Sequence, residues 1–263
     1  SIPEIPSAVP YVTSYYDKVW GFCMSHDQRT QLVDQSYHVF IDTAETAGSL
    51  TYADMLIKGK EDKEIFFSTY ICHPQMANNE LSGPSLATYL AKWVSERSNR
   101  FTYRFCFVPE TIGSIAYIAK NKSVFEKTYA AFNLTCVGDE KGFSFMPSRK
   151  GDTVTDRVAR HVIHHQSADY IEYSFIKDRG SDERQYCSPG VDLPMISLMK
   201  SKYGEFPEYH TSLDNLDFVT PNGLEHSFQV HTACLEILEN NFRYKSNILG
   251  EPFLSKRGKN YLI

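Results

Sequence analysis

A chain of 263 residues, 42% apolar and 22% charged, has enough apolar material for one sizeable core and the composition of an ordinary globular domain. Its formal net charge of −5 excludes nucleic-acid recognition through a broad basic surface, and no apolar run approaches the roughly 18–20 residues of a membrane span. Six scattered cysteines without a Cys-x-x-Cys pair exclude a disulfide scaffold and point to a reduced, cytoplasmic protein.

The chain opens at Ser1 with no signal-type segment, and it reads as one α/β domain (1–263) cut from something longer. Residues 1–10, with three prolines, read as an extended lead-in, and 245–263 as a solvated tail. Aromatic residues crowd 11–22, and a short helix is predicted at 29–33. Alternating runs at 37–41, 49–52 and 55–59 predict a small β-meander. Residues 64–72 are almost continuously apolar, as a strand covered on both faces must be. Ser82-Gly83-Pro84 opens a helix to about 97, with Leu86, Leu90 and Val94 at helical spacing and proline in the first turn. A second core strand at 104–108, a helix at 112–121 and a third strand at 129–137 follow. A helix at 156–166, a late strand at 193–198 and a closing helix at 223–240 complete the pattern. Such alternation predicts a three-layer αβα fold around a mixed, mostly parallel sheet. Cys72, Cys106 and Cys136 lie in the apolar runs and read as small buried hydrophobes.

Ligands of such sheets bind at the carboxyl ends of the strands. That rule selects His73 through Gly83, Pro109-Glu110-Thr111, Gly138-Asp139, Gly180-Ser181-Asp182-Glu183-Arg184, and Glu208-Tyr209-His210 through Asp214. Imidazole and carboxylate are the usual donors to a hydrolytic zinc ion, although a histidine at a strand end more often bonds its own loop. Glu110 reads either as a general base or as a carboxylate at the start of a helix. Asp214 or Asp217 can cap or orient the His210 loop. His161, His164 and His165 read as surface or capping residues. His26, His38, His226 and His231 have no partner pattern.

These motifs are similar in order and spacing to those of the co-catalytic zinc exopeptidases, relatives of leucyl aminopeptidase, glutamate carboxypeptidase and glutaminyl cyclase. Three blocks resemble more closely the bacterial aminopeptidase-like domains of polysaccharide-biosynthesis clusters. They are Ser68-Thr69-Tyr70-Ile71-Cys72-His73-Pro74, Pro109-Glu110-Thr111-Ile112-Gly113-Ser114 and Gly180-Ser181-Asp182-Glu183-Arg184-Gln185-Tyr186-Cys187. The resemblance implies His73 and His210 as metal ligands and Glu110 as general base. It places Asp182 in a catalytic role near the substrate pocket, with Arg184 and Tyr209 as substrate contacts. Asn79 stands where the peptidases carry a bridging aspartate, Thr111 where an acidic ligand follows the base, and Leu134-Thr135-Cys136 where another is expected. The resemblance therefore implies one zinc ion or none, with Glu80 or Asp139 as a substitute carboxylate.

The function so implied is zinc-dependent hydrolysis of a peptide or amide bond in a small peptide or an acylated amino sugar. No nucleic-acid or membrane partner is implied, and homo-oligomerisation is left open. The alternatives are a binding or regulatory domain that has lost its metal chemistry, and a single-zinc amide-forming or cyclising transferase.

Overall fold

The strands that alternate with helices in the sequence assemble into one seven-stranded sheet with the order β1-β3-β2-β4-β7-β5-β6. The computed structural model describes residues 1–13, 17, 19–73, 75–167 and 169–259. Pro74, residues 14–16 and 18 of the aromatic stretch, and the last four residues of the tail lie outside the described residues. The strands are β1 (Ala53–Ile57), β2 (Glu64–Tyr70), β3 (Thr102–Val108), β4 (Thr128–Leu134), β5 (Phe143–Met146), β6 (Tyr170–Glu172) and β7 (Met195–Met199). The four central strands β3, β2, β4 and β7 run parallel. Edge strand β1 pairs antiparallel to β3. On the other side β5 pairs antiparallel to β7 and parallel to β6.

Every residue of β2 is buried because successive side chains enter opposite cores. Ile65 and Phe67 pack under helices α2 (Ser82–Ser95), α5 (Val154–Gln166) and α8 (Pro221–Asn240). Phe66 packs on the other face with Tyr117 of α3 (Ile112–Lys120), Phe125 of α4 (Lys122–Phe125), Phe175 of α6 (Phe175–Asp178) and Tyr186 of α7 (Glu183–Tyr186). Register places Phe67 opposite both Phe105 and Phe132, and the three rings stack at centroid distances of 4.8 and 5.1 Å. The three-layer αβα reading is therefore the observed fold.

Helix α2 is entered through a π-helical turn, Ala77–Leu81. Gly83, the second residue of α2, lies against the sheet. A side chain there would run into the Leu134 carbonyl and the Thr69 hydroxyl. That contact fixes the turn directly over the carboxyl ends of β2 and β4. Chain direction also reverses there, since β2 leads to β3 on one side and β3 leads to β4 on the other.

Several expectations fail locally. The meander does not form: 37–41 and 49–52 are not strands, and only Ala53–Ile57 pairs. Residues of strand-forming type need a neighbour to satisfy their backbone, and these pair with no strand among the described residues, with Phe40 80% exposed. The helix predicted at 29–33 is α1 (His26–Thr30), started by a Ser25–Gln28 capping box. Strand β2 stops at Tyr70, which leaves Cys72 exposed rather than in the core. Strands β5 and β6 were not expected. No described helix is long and apolar enough to cross a membrane.

Candidate active site

His73 lies just beyond β2 and is buried. Its backbone N–H donates to Glu80 Oε2, the same oxygen that lies 2.9 Å from its Nδ1. The Cys72 Sγ also meets Nδ1, at 3.0 Å. Burial by itself would lower the His73 pKa, but the bonds to Cys72 and Glu80 outweigh it and carry it up to about 10. Glu80 is itself positioned by the π turn, whose leading amides are capped by Asp214. Asn78 N–H donates to Oδ1 at 2.6 Å and Asn79 N–H to Oδ2 at 2.9 Å. An inward turn of backbone amides thus carries a buried carboxylate at one end and presents another to the histidine.

Glu110 follows β3, the neighbour of β2, and its N–H donates to Cys72 Sγ at 3.2 Å. Burial raises its carboxyl pKa, opposed by a hydrogen bond with Ser181 and by the charge of His73. The next residue, Thr111, has a φ of 62°, a left-handed conformation that costs a β-branched residue energy. Asp182 holds it there: Oδ1 accepts the Thr111 N–H at 2.7 Å and the Ser114 hydroxyl at 2.8 Å. Asp182 is fully buried, its Oδ2 has no partner among the described residues, and burial pushes its pKa up to about 7. Its contacts are with the loop that aims Glu110. Arg184 is exposed on α7, and its charge acts on Glu110.

His210 arrives from the long loop after β7. Its ring stacks on Tyr209 at 3.9 Å and lies 5.7 Å from the His73 ring, 26° from parallel. Burial, with the neighbouring His73 charge, lowers its pKa. Two imidazoles on one tetrahedral zinc ion have ring centres about 5 Å apart, from Zn–N distances of ~2.0–2.1 Å, so this spacing suits a shared ion. A ring nitrogen of His73, the Cys72 sulfur and a Glu110 carboxylate oxygen all lie within 4.8 Å of one another. The donor set fits one metal ion.

Among the described residues a second ion finds no such set. Asn79 is buried, its carbonyl taking the Tyr70 hydroxyl at 2.6 Å and its side-chain amide facing Met76 sulfur at 3.7 Å. The Thr135 hydroxyl also faces Tyr70, at 2.6 Å. Asp139 bonds the Asn78 amide and Ser201, and so is spent on structure.

Two residues of the site were not legible as such. Cys72 was read as core because the apolar run continues to it. Tyr11 directly follows the lead-in, which does more than extend. Pro10 bridges Thr211, Tyr11 N–H donates to the His210 carbonyl at 2.7 Å, and Ser212 N–H donates to Val9 O at 2.9 Å. The Tyr11 ring meets His73 and His210 edge-on, each at 5.2 Å. Tyr11, Cys72 and His73, together with Gln75, Met76 and Thr211, line a cleft of about 400 Å³.

Residues 3–241 match the family described as a domain of unknown function, DUF4910. The chain belongs to that family. A polysaccharide biosynthesis protein with an aminopeptidase-like domain from Clostridium acetobutylicum is 40% identical over 259 residues, covering 98% of this chain. The chain spans 59% of that relative's length. The crystal structure of a candidate peptidase from Clostridium acetobutylicum superposes with a TM-score of 0.91 at 40% identity, over 98% of this chain and 61% of that one. The zinc aminopeptidase of Bacillus subtilis superposes with a TM-score of 0.60 at 17% identity, over 71% of this chain and 49% of that one. At that identity the likeness shows the fold alone, and the fold is that of the aminopeptidases.

Proposed function

We propose that this domain is a single-zinc hydrolase of peptide or amide bonds. The observation that carries the reading is that His73 has a Glu110 carboxylate oxygen within 4.8 Å of a ring nitrogen and the His210 ring 5.7 Å from its own, at the carboxyl rim where the sheet changes direction. His210 and His73, the latter after losing a proton, supply nitrogen donors. Zinc bound there supplies Lewis acidity and an acidified water at neutral pH. Glu110 takes the proton from the attacking water and returns it to the leaving amine. Its raised pKa makes it a stronger base than an ordinary carboxylate. Glu80 fixes the His73 ring, and Asp182 fixes the loop that aims Glu110. Arg184 and Tyr209 flank the site and bind the substrate, a short peptide or an acylated amino sugar. The amino-sugar class is supported by the relative's description as a polysaccharide biosynthesis protein.

The test is Glu110→Gln, assayed on aminoacyl anilides and N-acyl amino sugars. Turnover should fall on the order of 100-fold or more while the fold is kept. An unchanged rate assigns Glu110 to the start of α3 as a structural carboxylate. A second reading, a binding domain without metal chemistry, is favoured by Asn79, Thr111 and Thr135 at the former acidic positions. It predicts a folded, metal-free protein with no turnover.

A further inference from the structure

One zinc ion on two imidazoles calls for a negative third ligand, and most of the carboxylates around the rim are already committed. Glu80 is spent on the His73 N–H and Nδ1. Asp139 is spent on Asn78 and Ser201, and Asp214 on the Asn78 and Asn79 amides. Asp182 takes Thr111 and Ser114 through Oδ1 alone, and Glu183 takes the Gly180 and Ser181 amides and the Tyr203 hydroxyl. Within reach of a His73 ring nitrogen lie the Glu110 carboxylate, which the hydrolytic reading needs as the base, and the Cys72 sulfur.

We propose that Cys72 is the third protein ligand of the metal, giving a sulfur–nitrogen centre in which a thiolate replaces the carboxylate. The inference rests on the single-zinc reading above. Cys72 Sγ, a His73 ring nitrogen and a Glu110 oxygen lie within 4.8 Å of one another, against the roughly 3.5 Å between donors around a tetrahedral zinc ion. Metal binding requires the sulfur to move from its place beside Nδ1, which Glu80 also occupies. Cys72 is the exposed cysteine at this rim, whereas Cys106, Cys136, Cys187 and Cys234 are buried. The Glu110 N–H already donates to this sulfur, the kind of hydrogen bond that stabilises a thiolate. Metal uptake expels the thiol proton to solvent.

The same geometry disfavours a thiol nucleophile. A Cys–His–carboxylate relay needs the sulfur and the carboxylate on opposite ring nitrogens. Here both meet Nδ1, at 3.0 and 2.9 Å.

Soft thiolate donors also favour zinc, cadmium and cobalt over magnesium or manganese. Cobalt(II) gives a readout independent of activity, because thiolate ligation produces an intense near-ultraviolet charge-transfer band. The purified chain titrated with cobalt should develop this band. Cys72→Ser should abolish it and weaken zinc binding at least tenfold or so. Cys72→Asp should bind metal without the band, and Cys23→Ser should leave it unchanged. Circular dichroism on each variant reports folding. Cobalt binding without the band, or a band that survives Cys72→Ser, overturns the thiolate ligand and leaves the single-zinc reading standing. No binding of cobalt or zinc by the wild type overturns both.

Discussion

Replacing Asp214 by alanine should unfasten the π turn from the site. The buried carboxylate accepts two main-chain amides, at 2.6 and 2.9 Å, and they are the leading amides of the turn that carries Asn79 and Glu80. Leaving two buried N–H groups without acceptors costs about 1–3 kcal/mol each. Part of that is returned, because the ion itself is costly to bury: desolvation outweighs the two bonds and raises the Asp214 pKa. The net loss should be about 2–4 kcal/mol. Urea unfolding at neutral pH measures it. Histidine NMR should also show the His73 pKa falling from its raised value as Glu80 loosens. Stability within about 0.5 kcal/mol of wild type, with His73 unmoved, would refute the claim that Asp214 organises the site.

Two further predictions follow from buried groups. His231 is fully buried with Nδ1 on the Ser227 carbonyl and Nε2 without a hydrogen-bond partner among the described residues, and burial drives its pKa down to about 4. A folded pKa below the unfolded value of about 6.5 contributes stability that is complete above that value. It is lost as pH falls toward 4, by about 3 kcal/mol in all. The acid destabilisation of His231→Leu, followed by urea unfolding, should be smaller by about that amount; equal pH slopes would contradict it. Asp182→Ala should lose on the order of 2 kcal/mol by orphaning the Thr111 N–H. Asp182→Asn keeps an acceptor. Because the wild-type pKa rises to about 7, wild-type stability is lost as pH rises from about 3.9 through that value. The asparagine variant should therefore gain on wild type over that window, and a parallel pH dependence would count against a buried, raised carboxyl.

The core strands and the helices on both faces were legible because their signal is local. An unbroken run such as Glu64–Tyr70 can only be covered on both sides, and the spacing of Leu86, Leu90 and Val94 turns one face inward. The short strands Phe143–Met146 and Tyr170–Glu172 carry too few residues to show a period, and residues 37–41 show one without a partner. His73, Glu110 and His210 were legible from strand ends and motif order. Cys72 was hidden by the apolar run, which continues to it although the strand stops at Tyr70. Tyr11 was hidden by distance, since its pairing with the His210 loop spans some 200 residues and leaves no pattern in the local sequence.

The count of ions tests the central claim most directly. Protein purified without chelators and analysed for zinc should contain about one equivalent, held by His73, His210 and an anionic partner, because the second set of acidic donors is missing. Two tightly bound equivalents, or a folded protein with none after zinc is supplied, would contradict the account.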